Sequence, residues 1–226
     1  MTAPVLFDRL RDANAADWGA YVEHEFVLGL QSGTLPEAAF RHYLIQDYLF
    51  LIQFARAYAL AAYKSETLEE IREAADVVRV IAEVEMGLHI EYCKGWGIEE
   101  HEITSAPEAE ENMAYTRFVL ERGHAGDVLD LYVALLPCMW GYAEIGTRLA
   151  SSPDTNRTDN PYLPWIEMYS SDDYVSNAKR GLERLDRLFD ARAGGGRFES
   201  LSKTFSQASR LEAGFWQMGL NAAKIG

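Results

Sequence analysis

What most constrains this chain is the spacing of its apolar side chains. Over nearly the whole length they recur at steps of three and four, the period of an α-helix, and alternating β-branched runs are nearly absent. Turn signals are widely spaced. The pattern predicts helices at roughly 4–13, 15–32, 36–64, 66–94, 105–122, 125–150, 161–169, 171–191 and 197–221. Gly33-Thr34-Leu35-Pro36 closes one helix and opens the next, with Thr34 able to cap and Pro36 suited to a first turn. Gly95-Trp96-Gly97 ends the fourth long segment. The run from Ser151 to Pro161 is the longest polar loop, and Gly194-Gly195-Gly196 separates the last two helices. No shift of composition and no repeat accompanies these breaks. The expectation is a single all-α domain, a helical bundle spanning residues 1–226.

At 226 residues the chain can bury a sizeable core without disulfides or metal. It has two cysteines, Cys93 and Cys138, a number that suits a reducing compartment. Acidic side chains outnumber basic ones by 35 to 21, which argues against nucleic acid and anionic membrane as partners. The opening MTAPVLFDRLRDA has no basic stretch followed by an apolar run, and no segment reaches about 18 uninterrupted apolar residues. The expected location is cytoplasmic, with no membrane span.

Three of the apolar stripes carry a reactive polar group at their centre. In the third helix Phe40, Tyr43, Leu44, Asp47, Phe50, Leu51 and Phe54 share one face. A carboxylate there loses hydration, a cost that a bound partner must offset. In the sixth helix Leu131, Leu135, Cys138, Tyr142 and Ile145 share a face, and Pro137 kinks the backbone beside the thiol. In the last helix Phe205, Ala208, Glu212, Phe215, Trp216 and Gly219 do the same. Burial without a countercharge favours the neutral form of Glu212, which suits proton exchange near neutrality. Taken singly, each group also fits a structural role: a satisfied Asp, a small core Cys, a buried ion pair. If the three faces converge, they enclose an aromatic-rich pocket with one thiol and two acids.

Glu85 and His89 stand four apart on one helix and could ligate a metal in a carboxylate-bridged di-iron bundle. That site needs a second comparable set, and the chain has five histidines, none after His124. The expectation is a structural pair at a helix contact or a subunit interface, and no metal. Cys93 and the acidic run Glu108–Glu111 are expected to be structural, the latter as a helix start favoured by the dipole.

Several blocks, in order, resemble the TenA/thiaminase II family over nearly the whole chain. They are His24-Glu25-Phe26-Val27-Leu28-Gly29-Leu30 followed by GTLPEAAFRHYLIQDYLFL, ALLPCMWGYAEIG around Cys138, WIEMYSSDDY, and LEAGFW. The resemblance implies a haem-oxygenase-like multi-helix bundle, a homotetramer, and no metal or organic cofactor. It implies that Cys138 is the nucleophile, that Glu212 exchanges protons with a pyrimidine, and that Asp47 binds the ring's amino group and supports the cysteine. Tyr115, Tyr142 and Tyr169 match pocket-lining tyrosines. Phe50 stands where the family often has tyrosine, so stacking is retained and a hydroxyl is lost. The implied partner is a small-molecule aminopyrimidine. The implied reaction converts 4-amino-5-aminomethyl-2-methylpyrimidine to hydroxymethylpyrimidine and ammonia in thiamine salvage, with thiamine as a second candidate substrate. In such a reaction a thiolate adds to the ring and the electron pair expels the amine. Water then adds at the methylene and the thiol leaves, which divides one hard step into two. Two other readings of the residues stand beside it: a di-iron or haem oxygenase on this fold, supported by Glu85 and His89, and a non-catalytic pyrimidine-binding or regulatory bundle.

Overall fold

The computed structural model describes residues 6–192, 194 and 196–225, and among these there is no β-strand. In chain order the helices are α1 (Leu6–Ala13), α2 (Ala15–Val22), α3 (Glu25–Ser32), α4 (Glu37–Lys64), α5 (Leu68–Val80), a π-helical turn (Ile81–Glu85), α6 (Met86–Gly95), α7 (Glu100–Ser105), α8 (Glu110–Ala125), α9 (Val128–Ser151), α10 (Leu163–Ser170), α11 (Asp172–Arg192) and α12 (Arg197–Ile225). The fold is all-α, as the apolar periodicity predicts. Residues 4 and 5 of the first expected helix, and Gly195 of the glycine run, lie outside the described residues.

The departures from expectation have local causes. The segment expected as one helix over 15–32 is two, because His24 takes an extended conformation and its Nδ1 accepts the Phe26 N–H at 3.2 Å, capping α3. Gly33 ends α3 in the left-handed region (φ 75°), which only glycine adopts at little cost. The Thr34 hydroxyl meets Ser32 Oγ at 2.7 Å, and α4 starts at Glu37, one residue beyond Pro36. The segment 66–94 opens with a reciprocal Thr67–Glu70 cap and is then interrupted by the π turn. Residues 100–105 form a short helix that the sequence did not announce, and the next helix begins at Glu110 rather than 105. The last helix continues four residues beyond the expected end, to Ile225.

The chain forms two compact units, Met1–Pro36 with Tyr132–Trp216, and Glu37–Leu131 with Gln217–Gly226. The first buries Leu10, Phe26, Leu30, Trp165, Phe205 and Trp216; the second buries Phe40, Tyr43, Leu44, Phe50 and Tyr115. Each such large side chain contributes roughly 1.5–3 kcal/mol by leaving water. By length and mean hydropathy α9 could cross a bilayer, but 72% of its most apolar window is buried inside the protein, the setting of a core helix.

Candidate active site

In the first unit α9 carries Cys138, half-buried and not joined to Cys93 in a disulfide. The helix runs through Pro137 as one element. Proline supplies no N–H to the preceding turn, and here the Tyr21 hydroxyl donates to the Pro137 carbonyl at 3.3 Å, tying α2 to the backbone next to the thiol. One turn further on, Gly141 lets the Tyr21 ring approach so closely that an added Cβ would lie 2.4 Å from it. Two indoles clamp the following turn: Trp18 Nε1 and Trp140 Nε1 donate to the two carboxylate oxygens of Glu144, at 2.9 and 3.1 Å. Gly181 of α11 receives the Met139 side chain in the same way, since a Cβ there would lie 2.2 Å from its sulfur. The segment 137–144 is therefore fixed on several sides.

Tyr142 lies one helical turn after Cys138, and Trp216 one turn after Glu212. The rings of Tyr142 and Trp216 meet, with centroids 5.3 Å apart. This contact carries the thiol's helix and the acid's helix to the same aromatic cluster. Tyr169 and Trp165 of α10 extend it, with Tyr169 at 4.8 Å from Tyr142 and 4.5 Å from Trp165. Phe26 stacks on Trp216 at 4.8 Å. The loop before α10 is pinned by Asn160, whose Nδ2 donates to the Leu30 carbonyl at 2.9 Å and whose Oδ1 accepts from Tyr162 N at 2.9 Å. The Tyr162 hydroxyl donates to the Leu35 carbonyl. Glu212, on α12, is only 2% exposed.

In the second unit α4 carries Asp47, 7% exposed, and Phe50, 5% exposed. The Tyr43 hydroxyl donates to Asp47 Oδ2 at 3.3 Å, and His89 Nδ1 of α6 lies 3.7 Å from the same oxygen. Burial pushes the Asp47 carboxyl above its ordinary pKa, with His89 and Tyr43 opposing that shift. Glu85, on the π turn, is pushed up to about 7 by burial and then by the Asp47 charge. The Cys93 thiol is pushed up to about 12 by burial and then by Asp47, with Arg41 opposing. Phe50 packs on Tyr115 of α8 with centroids 5.3 Å apart. Gln46 fixes this pairing. Its Nε2 donates to the Pro107 carbonyl, its Oε1 accepts from Ala109 N, both at 2.9 Å, and its own carbonyl accepts from Asn112 Nδ2 at 2.9 Å.

Of the expected residues, Cys138, Glu212, Tyr142 and Tyr169 fall in the first unit, and Asp47, Phe50 and Tyr115 in the second. Sequence reasoning missed Glu144 with its two indoles, Trp165, and the Gln46–Asn112 clamp. A buried Gln directly before a buried Asp was the one available signal for the clamp. Glu85 and His89 do lie at a helix contact, where the histidine's Nε2 bonds to the Leu44 carbonyl of α4 at 2.7 Å. Among the described residues no group of three or more His, Cys, Asp and Glu is placed to hold a metal ion. Glu108 pairs with Arg117, which holds its carboxyl below the usual range, and Glu110 and Glu111 occupy the first turn of α8.

A helical fold with a thiol and a buried acid led by their own helices to one aromatic cluster defines a class of small-molecule-binding, helical-bundle proteins. The chain belongs to the TENA/THI-4/PQQC family, whose model matches residues 12–222. It is 35% identical to an aminopyrimidine aminohydrolase of Halalkalibacterium halodurans over 90% of each chain. It is 33% identical to an aminopyrimidine aminohydrolase of Helicobacter pylori over 89% of this chain and 92% of that one. Among solved structures it superimposes with a TM-score of 0.90 on a protein of a Silicibacter species described as a TenA family transcription regulator, at 46% identity over 95% of this chain and 96% of that one.

Proposed function

We propose that the protein is an aminopyrimidine aminohydrolase, a C–N hydrolase of thiamine salvage, with Cys138 as its nucleophile. The observation that carries this is the contact between Tyr142 and Trp216, which stand one turn beyond Cys138 and Glu212. The names of the two bacterial relatives support the reading. The Cys138 thiolate adds to the aminopyrimidine ring while Glu212 protonates a ring nitrogen. The electron pair then breaks the methylene–nitrogen bond of the protonated amine, which leaves as ammonia. Water adds to the methylene and gives a proton to the Glu212 carboxylate, and the carbon–sulfur bond breaks to release the hydroxymethylpyrimidine and the thiolate. Tyr142 and Tyr169 offer aromatic faces to the flat ring. Asp47 is proposed to accept hydrogen bonds from the ring's amino group. Phe50 and Tyr115 are proposed to line the pocket, Phe50 without the hydroxyl that tyrosine would supply.

We read 1–226 as one functional domain, since α9 and α12 each contribute residues to both units without a break in the helix. Assembly into a homotetramer is supported by apolar side chains left exposed on α4 to α6 and the adjoining turns: Tyr63, Leu68, Ile71, Val84 and Leu88. The cysteine usage supports work in a reducing compartment such as the cytoplasm, and the family resemblance implies that the reaction needs no metal or organic cofactor.

The test is ammonia release from 4-amino-5-aminomethyl-2-methylpyrimidine and from thiamine, side by side, with wild type and Cys138→Ala. Release by wild type and none by the folded variant is expected. Turnover by the variant at the wild-type rate ends the nucleophile assignment. The description of the Silicibacter relative as a transcription regulator favours one second reading, a bundle that binds a pyrimidine without converting it. On that reading neither substrate is consumed and Cys138→Ser keeps biological activity.

A further inference from the structure

The side chains of Asp47 and His89 are each nine-tenths buried, and they face one another across α4 and α6. His89 reaches this face because of the π turn directly before α6. A π turn holds one residue more than an α turn, which rotates every following side chain by roughly 100° about the axis. That turn ends at Glu85, so Glu85 and His89 are set toward α4 by the insertion.

The ring's proton arrangement follows from its partners. A carbonyl oxygen can only accept, so Nε2, 2.7 Å from the Leu44 carbonyl, carries a hydrogen. Nδ1 is then the nitrogen that confronts Asp47 Oδ2 at 3.7 Å. A neutral ring and an ionised carboxylate would place lone pair against lone pair in a buried site. A proton on either partner, ring or carboxyl, makes the contact attractive. The Tyr43 hydroxyl donates to the same Oδ2. Both contacts fall on one oxygen, so together they set the rotation of the carboxyl group.

We propose that His89 is a positioning residue for the aminopyrimidine reaction: anchored by the Leu44 carbonyl, its Nδ1 holds Asp47 Oδ2 and so fixes the face that Asp47 turns to the substrate's amino group. This rests on the proposed role of Asp47. It assigns His89 a use in orienting a carboxylate rather than in binding metal.

Asparagine and glutamine divide the ring's two functions, because an Asn amide reproduces Nδ1 and a Gln amide reproduces Nε2. The experiment titrates 4-amino-5-hydroxymethyl-2-methylpyrimidine, the proposed product, into wild type, His89→Asn, His89→Gln and Asp47→Asn, and measures kcat and KM for the aminomethyl substrate. Binding by H89N is expected to stay within about threefold of wild type, while H89Q loses roughly tenfold, the scale of coupling between contacting groups. H89Q placed on D47N should cost nothing further. H89Q binding as tightly as wild type overturns the proposal, as does a loss that adds in full to that of D47N. D47N binding as tightly as wild type overturns the role of Asp47 itself, a distinct result. Should the His89 variants fail to fold, ring nitrogen NMR on wild type and D47N decides. The Nδ1 resonance of His89 is expected to move on replacement of the carboxyl group, and an unmoved resonance overturns the proposal.

Discussion

Gly146 and Tyr169 approach so closely that a Cβ on the glycine would lie 2.6 Å from the tyrosine's carbonyl carbon. The contact is with backbone, so α10 must shift to make room. Gly146→Ala gains about 1 kcal/mol of helix propensity but overpacks a close contact, which costs roughly 1–3 kcal/mol. We expect a net loss of up to about 2 kcal/mol by denaturant titration, with a raised KM because Tyr169 is displaced from Tyr142. Gly214→Ala is the control. Its Cβ would meet nothing within 4 Å, so that variant should gain about 1 kcal/mol. If both variants behave alike, the close approach to α10 does not constrain the site.

Glu212 is the acid whose ionisation the proposed chemistry needs. Glu212→Gln keeps the volume of this buried side chain and removes its capacity to exchange protons. General acid–base catalysis contributes on the order of 10²–10⁴ in rate. We expect kcat to fall by that amount, with KM changed by about threefold or less. A variant that turns over at near the wild-type rate across the pH range would remove Glu212 from the mechanism.

The helices were legible in the sequence because burial of one face repeats at 3.6 residues, and the stripes through Asp47, Cys138 and Glu212 are read directly from that period. What escaped reading has three origins. His24 breaks 15–32 through a side-chain cap that histidine supplies less often than Ser, Thr, Asp or Asn. The π turn at Ile81–Glu85 adds one residue without disturbing the apolar character around it, so its rotation of His89 is silent in the pattern. The polar clamps join distant positions: Gln46 and Asn112 are 66 residues apart, and Trp18 and Glu144 are 126 apart. Periodicity fixes which face of a helix is buried, and it carries no information about which polar group another helix will present to it.

Glu85 gives stability a pH dependence of definite sign. Its folded pKa is about 7 against an ordinary value of 4.5, so between these values the folded state binds more protons than the unfolded one. Stability then falls as pH rises through that window, by on the order of 3 kcal/mol from this group. The charged group that acts on it is Asp47. Glu85→Gln removes the ionisable group, so the variant should show a flatter stability profile from about pH 4.5 to 7 and exceed wild type above pH 7. Parallel profiles for the two proteins, measured by urea unfolding at each pH, would show that Glu85 ionises without cost.

The two cysteines should differ sharply in reactivity. Cys93 is 0% exposed, and its thiol is pushed up to about 12 by burial and by the Asp47 charge. At pH 8 its thiolate fraction is therefore on the order of 10⁻⁴, and the alkylating reagent has no surface to approach. Cys138 is half-buried, on a helix held by Tyr21 and Trp18. Iodoacetamide at pH 8 is expected to modify Cys138 much faster than Cys93, read by peptide mass spectrometry, with ammonia release declining in step with the Cys138 adduct. Saturating hydroxymethylpyrimidine should slow that modification, because the ring would cover the sulfur. Inactivation that instead tracks an adduct on Cys93, or a Cys138 adduct that leaves turnover intact, contradicts the assignment of the nucleophile.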